Sequence, residues 1–258
     1  MLLNNKRGLI MGVANDRSIA WGIAKELSLH GAEIGFTYQN ELFHERLKPL
    51  AKSINSSLLV KCDVSKNEDV KNVFNEVKKS WGNLDFVVHA LAFSDKSELK
   101  GGYSETSKSN FIETLTISSF SFTEICKEAI ELMPEGGSIL TLSYIGGQRT
   151  TPNYNVMGVA KAALEASVKY LSVDLGSKNI RVNCISAGPM KTLAGAAISG
   201  GRKVFRHAEN NSPLKRNPSL SDIGKGSLYL ISDLSSGVTG EIHYVDCGFN
   251  IIAIPNET

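Results

Sequence analysis

Short apolar runs alternate with longer amphipathic stretches along almost the whole chain. The runs at Arg7 to Met11, Glu33 to Tyr38, Leu58 to Lys61, Asp85 to His89, Ser138 to Leu142, Arg181 to Ile185 and His243 to Gly248 read as strands. Between them, Ile19, Ile23, Ala24 and Leu27 recur at helical spacing and stop at His30-Gly31; Val70, Val73, Phe74 and Val77 repeat the pattern and stop at Trp81-Gly82. Phe111 to Met133 is helical, with Ser118, Ser119 and Ser121 interleaved with phenylalanines, a pattern that fits a core face or a subunit contact. Thr151-Pro152 supplies an N-cap candidate and a proline at the first position of a helix running toward Leu175, and Asp222 to Ile231 makes a last helix. Strands that alternate with helices predict an α/β fold: one doubly wound parallel sheet of about seven strands with helices on both faces.

At 258 residues the chain is expected to be a single domain spanning residues 1–258. A formal charge of +2 argues against a general electrostatic grip on nucleic acid, and no apolar run has the length of a membrane span. The opening MLLNNKRGLI is too short for a signal peptide and runs into the first strand. Cys62, Cys126, Cys184 and Cys247 lie far apart, with no Cys-x-x-Cys and no histidine at metal spacing, so no metal is expected. Reduced cysteines point to a cytoplasmic protein.

Chemistry concentrates in two places. The first strand leads into Gly12 and then a helix from Ile19, the context in which a dinucleotide pyrophosphate docks on backbone N–H groups in a Rossmann-like fold. The glycines do not spell G-x-G-x-x-G. The position after the second strand, where an acid would hold an adenosine ribose or an arginine a 2′-phosphate, is Gln39, with Arg46 and Lys48 a few residues on. The second place is Gly137 to Lys161. Tyr144 falls at a strand end, while Tyr154 and Lys161, seven residues apart, would lie roughly 20° apart on one helix face. A phenol that keeps its proton at neutral pH beside an ammonium makes a proton-handling group. His89 ends an apolar strand and reads either as a base or as a satisfied structural residue.

The string LSYIGGQRTTPNYNVMGVAKAALEA, with GVANDRSIAWG, HALAFS and SAGPMKT, resembles the enoyl-acyl-carrier-protein reductases, a divergent branch of the short-chain dehydrogenases/reductases. In the wider superfamily a tyrosine stands four residues before the lysine and a serine about thirteen before that tyrosine. Here the tyrosine slot holds Met157 and the serine slot Tyr144, and the phenol sits one turn earlier at Tyr154. A shift of roughly 5 Å along a helix is the right sense of change. Reducing a conjugated thioester delivers hydride to the β-carbon, while charge builds on the more distant thioester oxygen.

The resemblance implies catalysis by Tyr144, Tyr154 and Lys161. It implies a cofactor held by Gly12, Ser18, Ile19, Gln39, Asp63, Val64, Leu91, Lys161, Met190, Thr192, Leu193 and Ala194, and substrate contacts from Ser94, Tyr144 and Tyr154. Asp63 would accept from the adenine amine, although an aspartate after a strand also serves as a helix cap. The neutral Gln39 implies NADH (NAD+) rather than NADPH. The substrate implied is an enoyl thioester on acyl carrier protein, and the assembly a homotetramer. Residues 190–218 resemble a substrate-binding lid whose Arg202, Lys203, Arg206 and Lys215 either meet the acidic carrier or form a solvated face. A carbonyl reductase would need the tyrosine that Met157 replaces. A non-catalytic dinucleotide sensor would have little use for two tyrosines and a lysine at these spacings.

Overall fold

Strand pairing sets the frame of the molecule, for which the computed structural model describes residues 1–193, 195 and 200–254. The strands are β1 (Arg7–Met11), β2 (Glu33–Tyr38), β3 (Leu59–Lys61), β4 (Phe86–His89), β5 (Gly137–Ser143), β6 (Ile180–Ala187) and β7 (Ile242–Val245). They form one sheet in the order β3-β2-β1-β4-β5-β6-β7, with every neighbour parallel. The chain builds outward from β1 to β3 and then restarts on the other side of β1 at β4. The crevice at that reversal, beyond the carboxyl ends of β1 and β4, is where ligands of doubly wound sheets bind.

Burial on both faces explains why the central strands are apolar without alternation. Ile10, Phe36, Phe86 and Leu140 face a core capped by α1 (Ile19–Leu29), α2 (Glu41–Ser53) and α8 (Leu220–Ile231). Leu9, Val87, Ile139 and Val182 point the opposite way, into a core formed with α3 (Asn67–Trp81), α5 (Ser121–Ile130) and α6 (Asn155–Gly176). Phe36, Phe86 and Phe122 are fully buried, and each such side chain is worth about 1.5–3 kcal/mol against exposure.

Several expected boundaries move. α6 begins at Asn155, because Thr151-Pro152 forms a turn closed by the Tyr154 N–H on the Thr151 carbonyl (3.2 Å), and Tyr154 itself takes the N-cap position. The expected helix from Phe111 to Met133 is α4 (Lys108–Leu115), a π-helical turn at Thr116–Phe120, and α5. The serines explain the interruption. Ser118 Oγ donates to the Phe93 carbonyl (3.0 Å) and accepts from the Phe93 N–H (2.9 Å), tying the widened turn to the loop after β4. A helix over residues 41–53, capped by Asn40 Oδ1 accepting from the Phe43 N–H, has no counterpart in the apolar pattern because it buries only Leu47 and Ala51. The stretch 190–218, expected to form a lid, contains α7 (Gly201–Asn211). α8 starts two residues before Asp222, which instead closes a capping box with Ser219.

Candidate active site

The β1 turn is shaped by glycine. Gly12 has φ +101°, and a Cβ there would lie 2.1 Å from the Ala90 carbonyl oxygen, so any other residue would push β1 and β4 apart. Ser18 Oγ accepts from the N–H groups of Ala14 (3.0 Å) and Asn15 (3.1 Å), which holds the loop in place. Since that hydroxyl faces the loop, it does not cap α1, and the helix opens at Ile19 with its N-terminal dipole directed into the crevice. The head of α1, which no side chain caps, fits a dinucleotide pyrophosphate, and Gly12 lets the turn pass close against β4.

Gln39 and Asp63 meet at the ends of β2 and β3, on a cavity of about 310 Å³ that Lys61, Lys66, Asp69 and Asn72 complete. Asp63 Oδ1 accepts from the Ser65 N–H (3.1 Å) and Oγ (2.7 Å). Burial works to raise the carboxyl, but those hydrogen bonds outweigh it and hold Asp63 below the usual carboxylate range. The cations beside Gln39 are therefore Lys61 and Lys66, while Arg46 is exposed on α2 and Lys48 is bound to Glu45 at 2.6 Å. On α2, Glu41, His44 and Glu45 do come close together, in contrast to the sequence expectation for histidine, but they are surface groups.

Val64 is buried, and Leu91 packs on the core of the α3–α6 face. Met190 packs on the opposite core, and Thr192 Oγ1 accepts from the Gly195 N–H (3.0 Å) in the turn after β6. Leu193 is exposed, and Ala194 lies outside the described residues. Ser94 has its hydroxyl turned inward, accepting from Thr114 Oγ1 (2.9 Å) and donating to Asn110 Oδ1 (3.3 Å).

The second cluster stands where β5 ends. Tyr144 continues the extended backbone, and the Gly146-Gly147 turn brings the chain back across α6. The Tyr144 and Tyr154 rings meet edge to face with centroids 5.1 Å apart. A Cβ on Gly146 would lie 2.4 Å from the Tyr154 ring, so glycine lets the turn and the phenol occupy adjacent space. Tyr154 packs among Leu99, Val156, Met157 and Ala160. Asn155 Nδ2 donates to the carbonyls of Leu99 (3.3 Å) and Gly101 (3.2 Å), which draws the polar loop after Lys96 over the start of α6.

Lys161 Nζ donates to the Leu142 carbonyl at 2.7 Å. Burial drives the Lys161 ammonium down to about 8 and drives both phenols up, Tyr154 more than Tyr144. Tyr154 therefore keeps its proton throughout the neutral range, and Lys161 carries a charge that is lost on mild alkalinisation.

His89 is fully buried, with Nδ1 at 2.9 Å from Thr141 Oγ1 and Nε2 at 2.9 Å from Ser121 Oγ. Burial, with the Lys161 charge adding to it, lowers its pKa to about 3, so it is neutral and structural. An unfolded chain binds a proton at His89 below about pH 6.5 that the folded chain refuses. The stability this contributes is present above that pH and is lost as pH falls toward 3. Accordingly, His89→Asn lowers the melting temperature at pH 7.5, and the gap to the wild type narrows between pH 6.5 and 4. Parallel melting curves across that range would contradict this.

Sequence reasoning missed a group behind the lysine. Glu165, one turn further along α6, accepts from Ser143 Oγ (2.5 Å) and from Gln148 Nε2 (3.0 Å), and the Tyr244 hydroxyl donates to Gln148 Oε1. The available signal was an acid set beside Leu164 and in register with Val168 on the buried stripe of α6.

A tyrosine–lysine helix after β5, beside a β1 turn that admits a pyrophosphate, places the molecule among the dinucleotide-dependent short-chain oxidoreductases. A family model described as Enoyl-(Acyl carrier protein) reductase matches residues 12–250. The chain belongs to that enoyl-acyl-carrier-protein reductase family. It is 61% identical over 254 residues to "Enoyl-[acyl-carrier-protein] reductase [NADH] 2" of Rhizobium meliloti, covering 98% of this chain and 95% of the relative. The crystal structure of FabI from Candidatus Liberibacter asiaticus superposes with a TM-score of 0.97 at 57% identity, covering 99% of each chain. The reductase of Anaplasma phagocytophilum, solved in complex with NAD, gives 0.97 at 54% identity, covering 100% of this chain and 98% of that one.

Proposed function

We propose that this chain reduces the trans-2 double bond of an enoyl thioester carried on acyl carrier protein, using NADH, with Tyr154 and Lys161 at the reacting centre. The observation that carries this reading is the displaced phenol: Met157 occupies the slot a ketone reductase needs, and Tyr154 stands one turn earlier with Tyr144 against it. NADH, when bound, supplies the hydride that goes to the β-carbon. Tyr154 donates a hydrogen bond to the thioester oxygen and stabilises the charge that builds there. Lys161 holds the nicotinamide ribose hydroxyls, and its ammonium favours the developing anion. Tyr144 shapes the acyl pocket, and Ser94, its hydroxyl held by Asn110 and Thr114, positions the opposite wall.

Gly12, Ser18 and Ile19 receive the pyrophosphate, Gln39, Asp63 and Val64 the adenosine, and Leu91, Met190, Thr192, Leu193 and Ala194 the nicotinamide end. Residues 190–218 act as the lid of a single domain. Arg202, Lys203, Arg206 and Lys215 are exposed on and just after α7, which supports docking of an acidic carrier. Ile112, Phe120, Tyr170 and Val173 are exposed apolar groups on the α4–α6 side, which supports a homotetramer. The protein would work in the cytoplasm; among the described residues no helix is long and apolar enough to cross a membrane.

Mixing the protein with NADH and a crotonyl thioester is expected to deplete absorbance at the nicotinamide band, and a simple ketone is expected to leave it unchanged. Faster consumption of the ketone would overturn the assignment. NADH binding without turnover of either substrate would make the chain a sensor.

A further inference from the structure

Glu165 is 6% exposed, on a helix stripe whose neighbours Leu164 and Val168 are apolar. A buried carboxylate is costly unless both oxygens are satisfied and a countercharge is near. Here both conditions are met from different elements. Ser143, the last residue of β5, donates to Oε1, and Gln148, just past the glycine turn, donates to Oε2. The turn itself lies directly on α6. A Cβ on Gly147 would sit 3.0 Å from Glu165 Oε1 and 3.1 Å from the Lys161 carbonyl carbon, so the backbone between Tyr144 and Gln148 is pressed against the helix between these two residues. β7 adds Tyr244, bound to Gln148. One acid thus pins both ends of the segment that carries Tyr144 and shapes the seat of Tyr154.

The same carboxylate answers a charge problem. Lys161 is 6% exposed, yet its hydrogen bond goes to the neutral Leu142 carbonyl. Cys184 of β6 and His89 of β4 feel its charge, Tyr154 and Tyr144 stand at the head of α6 and the end of β5, and Tyr244 of β7 lies behind Gln148. Burial keeps the phenols and the thiol protonated and His89 neutral. Of the two groups that favour the Lys161 charge, Cys184 and Glu165, burial keeps the thiol protonated, which leaves Glu165 as the countercharge one helical turn from the ammonium.

We propose that Glu165 is a positioning residue of this reductase: it supplies the countercharge that keeps the buried Lys161 protonated, and through Ser143 and Gln148 it holds the Tyr144 turn in register with Tyr154. This rests on the role given to Lys161 above. Removing the negative charge makes the ammonium harder to keep, so activity is lost at a lower pH.

The test is kcat/KM for NADH-dependent reduction of a crotonyl thioester between pH 6 and 10, in wild type, E165Q, E165D and K161R. In E165Q the alkaline limb is expected to move to lower pH by about half a unit or more, with activity at pH 6 within roughly threefold of the wild type. E165D keeps the charge on a shorter arm and is expected to leave the limb in place while kcat falls. K161R, whose charge does not titrate in this range, is expected to lose the limb. A uniform loss in E165Q with the limb unmoved would make Glu165 a packing residue and overturn the proposal. If E165Q does not fold, E165D decides: a displaced limb, or an unchanged kcat, overturns it. A K161R enzyme that keeps the wild-type limb would instead overturn the reading of Lys161, so the two failures are distinct.

Discussion

Tyr154→Phe is expected to lower turnover of a crotonyl thioester by roughly 10²–10³-fold, the loss typical of deleting a main oxyanion donor, while the protein melts within a few degrees of the wild type. The ring stays: it is buried among Leu99, Val156 and Met157, and its edge contact with Tyr144 at 5.1 Å does not involve the hydroxyl. Only the donor is lost. Burial holds that phenol above its ordinary pKa, so in the wild type the proton is present across the neutral range and available to a developing oxyanion. Steady-state NADH oxidation checks the rate and a melting scan checks the fold. An undiminished rate would transfer the donor role to Tyr144, the adjacent phenol.

Lys161→Met is expected to weaken NADH binding by about 10–100-fold, the value of one or two hydrogen bonds from a charged group, and to lower turnover by a similar or larger factor. Stability should fall as well. Removing the ammonium leaves the buried Glu165 carboxylate without its countercharge, so the variant should melt below the wild type. Wild-type activity falls as pH rises through about 8, where burial has placed the Lys161 ammonium, and the methionine variant shows no such limb. Fluorescence titration with NADH separates the binding loss from the catalytic one. Tight binding by the variant would contradict the assignment of Lys161 to the ribose.

Elements that bury a continuous surface were legible from the sequence alone. β1 and β2 fall at their expected bounds, and α3 runs to the expected Trp81 with Gly82 at positive φ (78°) behind it, because apolar periodicity records burial directly. α2 and α7 were not legible: each buries one or two residues, too little to mark the pattern. The head of α6 misled for a different reason. Thr151-Pro152 has the chemistry of a helix start, yet Asn153 and Asn155 take positive φ (59° and 36°), and the chain spends those residues turning Tyr154 inward.

By itself the sequence determined the parallel α/β sheet, the glycine turn that admits a dinucleotide, and the displaced tyrosine that separates this family from ketone reductases. The sheet is written in the alternation of strands and helices along the chain, and the turn and the tyrosine spacing are local to one turn and one helix. The tertiary structure decided that His89 is neutral and structural, that Ser94 faces Asn110 and Thr114, and that Glu165 belongs with Lys161. Each depends on burial and on partners far away in the chain (Thr141 and Ser121, Asn110, Ser143 and Gln148), and a charge or a proton is held by its surroundings, which only the folded chain supplies.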